Sequence, residues 1–381
     1  MTGRILTTHV GSLPRPTAVS DMLFAREAGT AVDPATFETA VAAAVHQVVA
    51  HQKNAGVDIP SDGEMSKISY ATYIGERLTG FSGDSERRVP ADLAALPRFA
   101  QRQAKGGGTP SYRRPCCTGD IRVRTTEPLE ADIARFQSAL AANDYATGFM
   151  NAAAPGVIAL FQPNRHYADD DAYLAALADA MAVEFRAIVA AGFILQVDSP
   201  DLALGRHTMY THLSDDDFLK RVAIHVAALN TALAGIPKDR IRLHLCWGNY
   251  EGPHTADIPL DRILPTVLGV NAGMLSFEGA NPRHAHEWEV FQRIAIPDDL
   301  ILIPGVLDST TNYVEHPDLI AERICRYTTI VGPDRVIAGS DCGFSTFASY
   351  GVVDPDIVWL KLASMAEGAR RATARLAKGG G

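Results

Sequence analysis

From residue 147 onward the chain keeps one rhythm, a short apolar run followed by a helical pattern, recurring at intervals of about 30 to 50 residues. The runs are 148–160, 193–197, 241–246, 274–277, 300–307 and 336–338. Helical patterns follow them at 170–191, 215–234, 257–270, 284–295, 316–331 and 355–376. Two more units lie upstream. Residues 4–10 (RILTTHV) form a β-branched and apolar run stopped by Gly11-Ser12-Leu13-Pro14, and 35–55 carry a helical period opened by Asp33-Pro34 and closed by Gly56. A second strand, Val57-Asp58-Ile59-Pro60, comes next. Such alternation implies parallel strands, because a parallel pair needs a crossover and a helix supplies it. Eight units suit a closed ring better than an open sheet, so the expected fold is α/β, a (β/α)8 TIM barrel spanning 1–381.

Residues 65–146 break the rhythm and read as an insertion after the second strand. Within it, 98–114 (RFAQRQAKGGGTPSYRR) joins five basic residues to Gly106-Gly107-Gly108, the composition of a flap. Arg113 and Arg114 are placed either to meet an anionic substrate or to solvate a loop. Cys116 and Cys117 have no other metal-ligand type nearby at useful spacing and read as structural. A tail at 377–381 is expected to be disordered.

Composition removes several functions. A net charge of -9 and a pI near 5.7 argue against a general nucleic-acid binder, which needs a basic face. There is no uncharged apolar window long enough for a membrane span, and Met1-Thr2-Gly3-Arg4 does not begin a signal peptide. A cytoplasmic protein is expected. Five cysteines, two of them adjacent, do not form a disulfide framework, so thiolate chemistry or metal binding fits better. No Gly-x-Gly-x-x-Gly follows any strand, which weakens a dinucleotide-binding reading.

In a barrel of this type the site lies at the C-terminal ends of the strands. The assigned order puts Ser12, Glu64, Asn151, Asp198, His244, Cys246, Glu278, Asp308 and Cys342 there. In Arg242-Leu243-His244-Leu245-Cys246, the imidazole and the thiol lie two residues apart and share a strand face. Phe277-Glu278-Gly279 and Ser340-Asp341-Cys342-Gly343 end two later runs in the same way, so His244, Cys246, Glu278 and Cys342 are a candidate zinc set. A buried cysteine is more often a small hydrophobe; the shared strand-end position favours a metal. For Glu64 and Asp198 the alternatives are a turn acid or helix cap and a contact to a substrate amine. Asp308 is ambiguous in the same way, and Gly11 and Ser12 mark either a plain turn or a close backbone approach to a ligand. Two thiolates make zinc a weak Lewis acid for hydrolysis but suit the activation of a substrate thiol. The reaction class this points to is S-alkylation.

At these residues the chain resembles the catalytic C-terminal barrel of cobalamin-independent methionine synthases, a family whose full-length members carry a further N-terminal barrel. The likeness runs through Thr7-Thr8-His9-Val10-Gly11-Ser12-Leu13-Pro14, Asp62-Gly63-Glu64, Val197-Asp198-Ser199-Pro200, His244-Leu245-Cys246, Phe277-Glu278 and Asp341-Cys342-Gly343. It implies zinc held by His244, Cys246, Glu278 and Cys342. It also implies a thiol acceptor held by Gly11 and Ser12 through backbone and hydroxyl, and by Glu64 and Asp198 through its amine. Asp308 would be polar at the donor side, and Glu278 would be the ligand displaced by the thiol. The chain departs from the family where Ser309 and Thr310 follow Asp308, since the family has a His there to protonate the folate leaving group. Residues 150–162 also lack the family's folate-stacking Trp.

The expected function is therefore zinc-dependent transfer of a methyl or other alkyl group to a small, homocysteine-like thiol. Its partners are that thiol and an alkyl donor, with no nucleic acid or membrane, and exposed helices leave room for a homo-oligomer. Single-barrel relatives that resemble it, the epoxyalkane:coenzyme M transferases, need no pterin pocket, which fits the two absences. Against them, Glu64 and Asp198 suit an amine better than a sulfonate. A non-catalytic barrel that binds zinc or a thiol is the third reading, motivated by the missing His.

Overall fold

Parallel pairing in sequence order builds the sheet in a computed structural model that describes residues 3–86, 88–105 and 114–379. Its seven strands are β1 (Leu6–Thr7), β2 (Phe149–Ala153), β3 (Ile194–Asp198), β4 (Ile241–Leu245), β5 (Met274–Phe277), β6 (Ile301–Leu307) and β7 (Ile337–Ser340). From β2 to β7 each strand pairs with the next, and β7 pairs with β1. The sheet curls into an α/β barrel whose helices form the outer layer.

The second expected strand does not form. Residues 57–60 nonetheless fill the eighth place: the N–H groups of Asp58 and Ile59 both donate to the Thr7 carbonyl at 3.1 Å, and Phe149 N–H donates to the Pro60 carbonyl at 2.9 Å. Pro60 has no N–H to return, so the segment closes the ring between β1 and β2 without a regular ladder. The run expected over 148–160 also divides. Its first part is β2, and Pro155, at the N-terminal position where its missing N–H costs nothing, opens the helix Pro155–Phe161.

The outer helices follow from their caps. Asp33 accepts from Thr36 N–H at the start of α1 (Pro34–Ala55), and Gly56 ends it in the left-handed region at φ 81°. Asp169 and Ser214 cap α3 (Asp170–Ala190) and α4 (Asp215–Ala232) by the same bond. The pattern over 284–295 yields only a short 3-10 turn, Glu287–Glu289, and the four-residue helix Val290–Arg293.

The interval 65–146 is not uniformly an insertion. Its last part is α2 (Glu127–Ala142), which packs on α1 as an ordinary barrel helix. Ahead of it lie the helices Ala91–Ala94 and Pro97–Lys105 and a two-stranded ribbon, Phe81–Ser82 against Cys116–Cys117, with both cysteines fully buried. Gly106-Gly107-Gly108 and Arg113 lie outside the described residues. At the C-terminus, α5 (Pro355–Gly379) carries residues 377–379 of the expected tail; 380–381 lie outside the described residues.

Arg77 ties the inserted segment to the barrel. Its buried guanidinium meets Asp132 of α2 at 2.5 Å and Glu184 of α3 at 3.0 Å, and Tyr73 donates to Glu184 at 2.6 Å. Removing one member of a buried ion network strands its partners. Arg77→Met is expected to lower unfolding free energy in urea titrations by about 3 kcal/mol, the low end for such pairs, because Arg135 still holds Asp132 at 2.7 Å. A loss below about 1 kcal/mol, the level of exposed pairs, would rule that role out.

Candidate functional site

One cavity of about 1100 Å³ opens at the C-terminal ends of the strands, and Ser12, Glu64, Asn151, Asp198, His244, Cys246 and Cys342 all line it. β3 ends at Asp198; Cys246 follows β4, and Cys342 lies two residues beyond β7. Parallel register sets Asp198 opposite His244, so the carboxylate and the imidazole reach the rim at the same level.

His244, Cys246 and Cys342 form one cluster whose ligand atoms all lie within 4.8 Å of one another. The two sulfurs are 2.9 Å apart, and Cys342 Sγ is 3.9 Å from His244 Nε2. All three residues are buried. Burial, with the nearby Arg242 cation, holds the His244 imidazole down at about 3, so it is neutral and able to bind a metal. The hydrogen bond it shares with Cys246 as donor, together with burial, keeps the Cys342 thiol protonated far above its ordinary range. A divalent cation reverses that preference, and one imidazole with two thiols is a donor set that fits zinc.

Glu278, expected as the fourth ligand, stands at the edge of this cluster. Its Oε1 is 3.9 Å from Cys342 Sγ and accepts from Trp247 N–H at 2.8 Å, while its Oε2 accepts from Asn281 Nδ2 at 2.7 Å. It is poised beside the three. Asp308 is buried behind the cavity wall, where its Oδ1 accepts from the N–H and hydroxyl of Thr310 at 2.8 and 2.7 Å. Ser309 donates to Asn249 at 3.0 Å. The cavity itself meets Thr310 and Tyr313 rather than Asp308.

Two glycines permit the close packing of the rim. A Cβ on Gly343 would sit 1.9 Å from Ser12 Oγ, and one on Gly11, whose φ is +134°, would fall 2.2 Å from Asn151 Oδ1. Gly11 is thus behind the lining, with Ser12 in front of it. Glu64 holds a left-handed φ of 58°, rare for a non-glycine residue, which marks a backbone set by its surroundings. Burial raises its carboxyl to about 7, against the pull of the Lys67 cation. Burial likewise raises Asp198 to about 6, against bonds from Asn151 Nδ2 at 2.9 Å and Gln196 Nε2 at 2.7 Å. Lys67 itself is buried, donates to the Asn151 carbonyl at 2.6 Å, and lies 4.4 Å from the centre of the Tyr73 ring.

Lys67, Gln196 and Asn281 are site residues that pattern-reading does not find. Lys67 sits in an irregular turn three residues after Glu64, and Gln196 looks like a polar slip inside an apolar strand. The only signal was proximity in sequence to Glu64, Asp198 and Glu278.

Fold and rim together define a barrel with a buried His/Cys/Cys cluster that could hold a metal, in the same cavity as a pair of buried carboxylates. The family model of the cobalamin-independent synthase catalytic domain matches residues 5–354, and the chain belongs to that family. A methionine synthase of Saccharolobus solfataricus is 26% identical over 367 residues, covering 96% of this chain and 93% of that one. Another, from Sulfolobus acidocaldarius, is 24% identical over 340 residues, covering 88% and 85%. Among solved structures, a B12-independent methionine synthase from Shewanella sp. W3-18-1 in complex with selenomethionine superposes with a TM-score of 0.74 at 17% identity, covering 98% of this chain and 99% of that one. The family resemblance and the barrel fold drawn from the sequence are thereby confirmed.

If the cluster holds zinc, Cys246→Ser and Cys342→Ser each lose it. Elemental analysis of the purified variants should give well under one equivalent where the parent retains close to one, and stoichiometric zinc in both variants would refute the ligand set.

Proposed function

We propose that this protein transfers a methyl group to the sulfur of a small amino-acid thiol of the homocysteine class. The observation that carries the reading is the juxtaposition, in one cavity, of the His244, Cys246 and Cys342 cluster with the Glu64 and Asp198 carboxylates. The first is a site for sulfur and the second a site for an ammonium group. Methionine synthases at 26% and 24% identity over most of the chain support the same assignment.

In this proposal His244, Cys246 and Cys342 would hold the metal, and Glu278, beside them, would be its exchangeable fourth ligand. Zinc, when bound there, lowers the pKa of the incoming thiol and leaves it nucleophilic. Glu64 and Asp198 orient the ammonium end, and Ser12 offers its N–H and hydroxyl to the carboxylate end. The thiol would release its proton to solvent water as it becomes a thiolate; a new S–C bond then forms as the carrier–C bond breaks, and the carrier departs with the electron pair. Asp308, behind the cavity wall, would act at the donor side only indirectly, by anchoring the Thr310 turn that meets the cavity. The inserted helices contribute Leu93, Phe99 and Ala100 to the cavity wall, an apolar cover that limits water around the thiolate. A cytoplasmic setting, where thiols stay reduced, belongs to the proposal; among the described residues no helix is long and apolar enough to cross a membrane.

Both acids sit above their ordinary range, so at pH 6 Glu64 is mostly and Asp198 about half protonated, and binding an ammonium ion must drive those protons off. The KM for an amino thiol should therefore rise as pH falls from 7 to 5, with little change above 8. Glu64→Gln and Asp198→Asn should each raise it about 10- to 100-fold at pH 8, the size expected for a lost charge-assisted bond. A KM indifferent to pH over that range, or to both substitutions, would remove the ammonium role.

Ser309 and Thr310, in place of a histidine, leave the donor to experiment. Homocysteine, coenzyme M and glutathione should be paired with methyl-folate, small epoxides and methylated arenes, and products read by mass spectrometry. Methylation of homocysteine is expected. A product only from coenzyme M with an epoxide would replace this reading by ring opening, and zinc binding without any product would leave a non-catalytic barrel.

A further inference from the structure

We infer that Asp341 is a positioning residue for the metal-binding rim, stapling the turn that carries Glu278 to the strand end that carries Cys342. The inference rests on the metal reading proposed above and extends it to a residue that would touch neither metal nor substrate.

The geometry is dense. Asp341 Oδ1 accepts from the N–H groups of Gly279 and Ala280, both at 2.8 Å. Its Oδ2 accepts from Asn281 N–H at 2.8 Å and from Asn281 Nδ2 at 3.1 Å. The same Nδ2 reaches Glu278 Oε2 at 2.7 Å, so Asn281 bridges the two carboxylates. Asp341 N–H donates to the Leu307 carbonyl at 2.9 Å, which fixes the backbone just ahead of Cys342 to β6. The side chain is 2% exposed and fills the space above Gly305, where a Cβ would fall 1.9 Å from Oδ1. No Lys or Arg among the described residues forms an ion pair with it, so peptide N–H groups and one amide do the holding.

Four donors converging on two oxygens require an acid at this position. An asparagine of the same shape keeps one acceptor oxygen and turns an NH₂ towards N–H groups, either those of Gly279 and Ala280 or that of Asn281. The Glu278 turn would then come loose from Cys342. Partners that orient a metal ligand typically govern about 10- to 100-fold of metal affinity.

The test compares the full chain with Asp341→Asn and Asn281→Ala. Zinc affinity is read by chelator competition, cobalt(II) spectra report the coordination geometry, and urea unfolding of the metal-free proteins reports stability. Asp341→Asn should bind zinc about 10- to 100-fold more weakly, and Asn281→Ala about 10-fold more weakly. Both should show altered cobalt d–d bands, with metal-free Asn281→Ala unfolding at the parent midpoint. If Asp341→Asn does not fold, Asn281→Ala decides the matter. Parent-like affinity and spectra in the folded variants would overturn the positioning role while leaving the metal reading intact. A parent chain that takes up neither zinc nor cobalt would overturn the metal reading, and this inference with it.

Discussion

Burial lifts Glu64 to about 7 and Asp198 to about 6 and drives His244 down to about 3, so the mouth of this barrel is a place where charge has been taken out of water. The inward Arg242 shows the same effect: its guanidinium falls to about 9 despite the pull of Asp198. Each of these groups is shifted towards its neutral form by burial, so a counter-charge placed beside it would be favoured. In the proposed reading an ammonium ion would meet Glu64 and Asp198 and a soft divalent cation would meet His244, Cys246 and Cys342; all five residues line one cavity. The rest of the rim can be understood as arrangements that keep these unwilling groups in place: Asn151 and Gln196 behind Asp198, Asn281 and Trp247 behind Glu278, Lys67 between the acids.

The cover over the cavity depends on the same economy of polar partners. Asp92, from the short inserted helix, accepts from the Tyr250 hydroxyl at 3.0 and 2.8 Å and from His254 N–H at 2.9 Å. That pins the loop leaving Cys246 against the inserted segment. Further along, Asp257 receives His254 at 2.9 Å and His284 at 3.1 Å, and His284 also meets Glu287 at 2.7 Å. Each buried imidazole here has an acid beside it, the arrangement that makes a buried charge tolerable.

How much of this was legible in the sequence depended on whether the signal was local. Apolar runs that end near His244, Cys246, Glu278 and Cys342 gave the strands, and at those strand ends His244, Cys246 and Cys342 line the cavity while Glu278 stands at its edge. Residues 57–60 misled because β-branched and apolar content suggests a strand, whereas Pro60 forbids the ladder that defines one. The helix Glu127–Ala142 was lost in the noise of the inserted segment before it. Lys67 belongs to no periodic pattern, and the three peptide N–H groups that hold Asp341 come from a turn some 60 residues earlier, a relation visible only once the chain is folded.

The stave built from Asp58 to Pro60 has a consequence for the architecture as a whole. A ring bonded on all sides locks each strand to both neighbours, so chain added at one strand end disturbs the alignment of the next. Here the backbone bonds to β1 come from two amides aimed at the single Thr7 carbonyl, with the Asp58 carboxylate accepting from Thr7 N–H, and the one backbone bond to β2 is donated by Phe149 N–H to Pro60, which has no N–H to return. The polypeptide that departs just beyond it runs into the short helices that roof the cavity with Leu93 and Phe99, while the six strands from β2 to β7 each pair with the next, so the cover rises from the one stave held without a regular ladder.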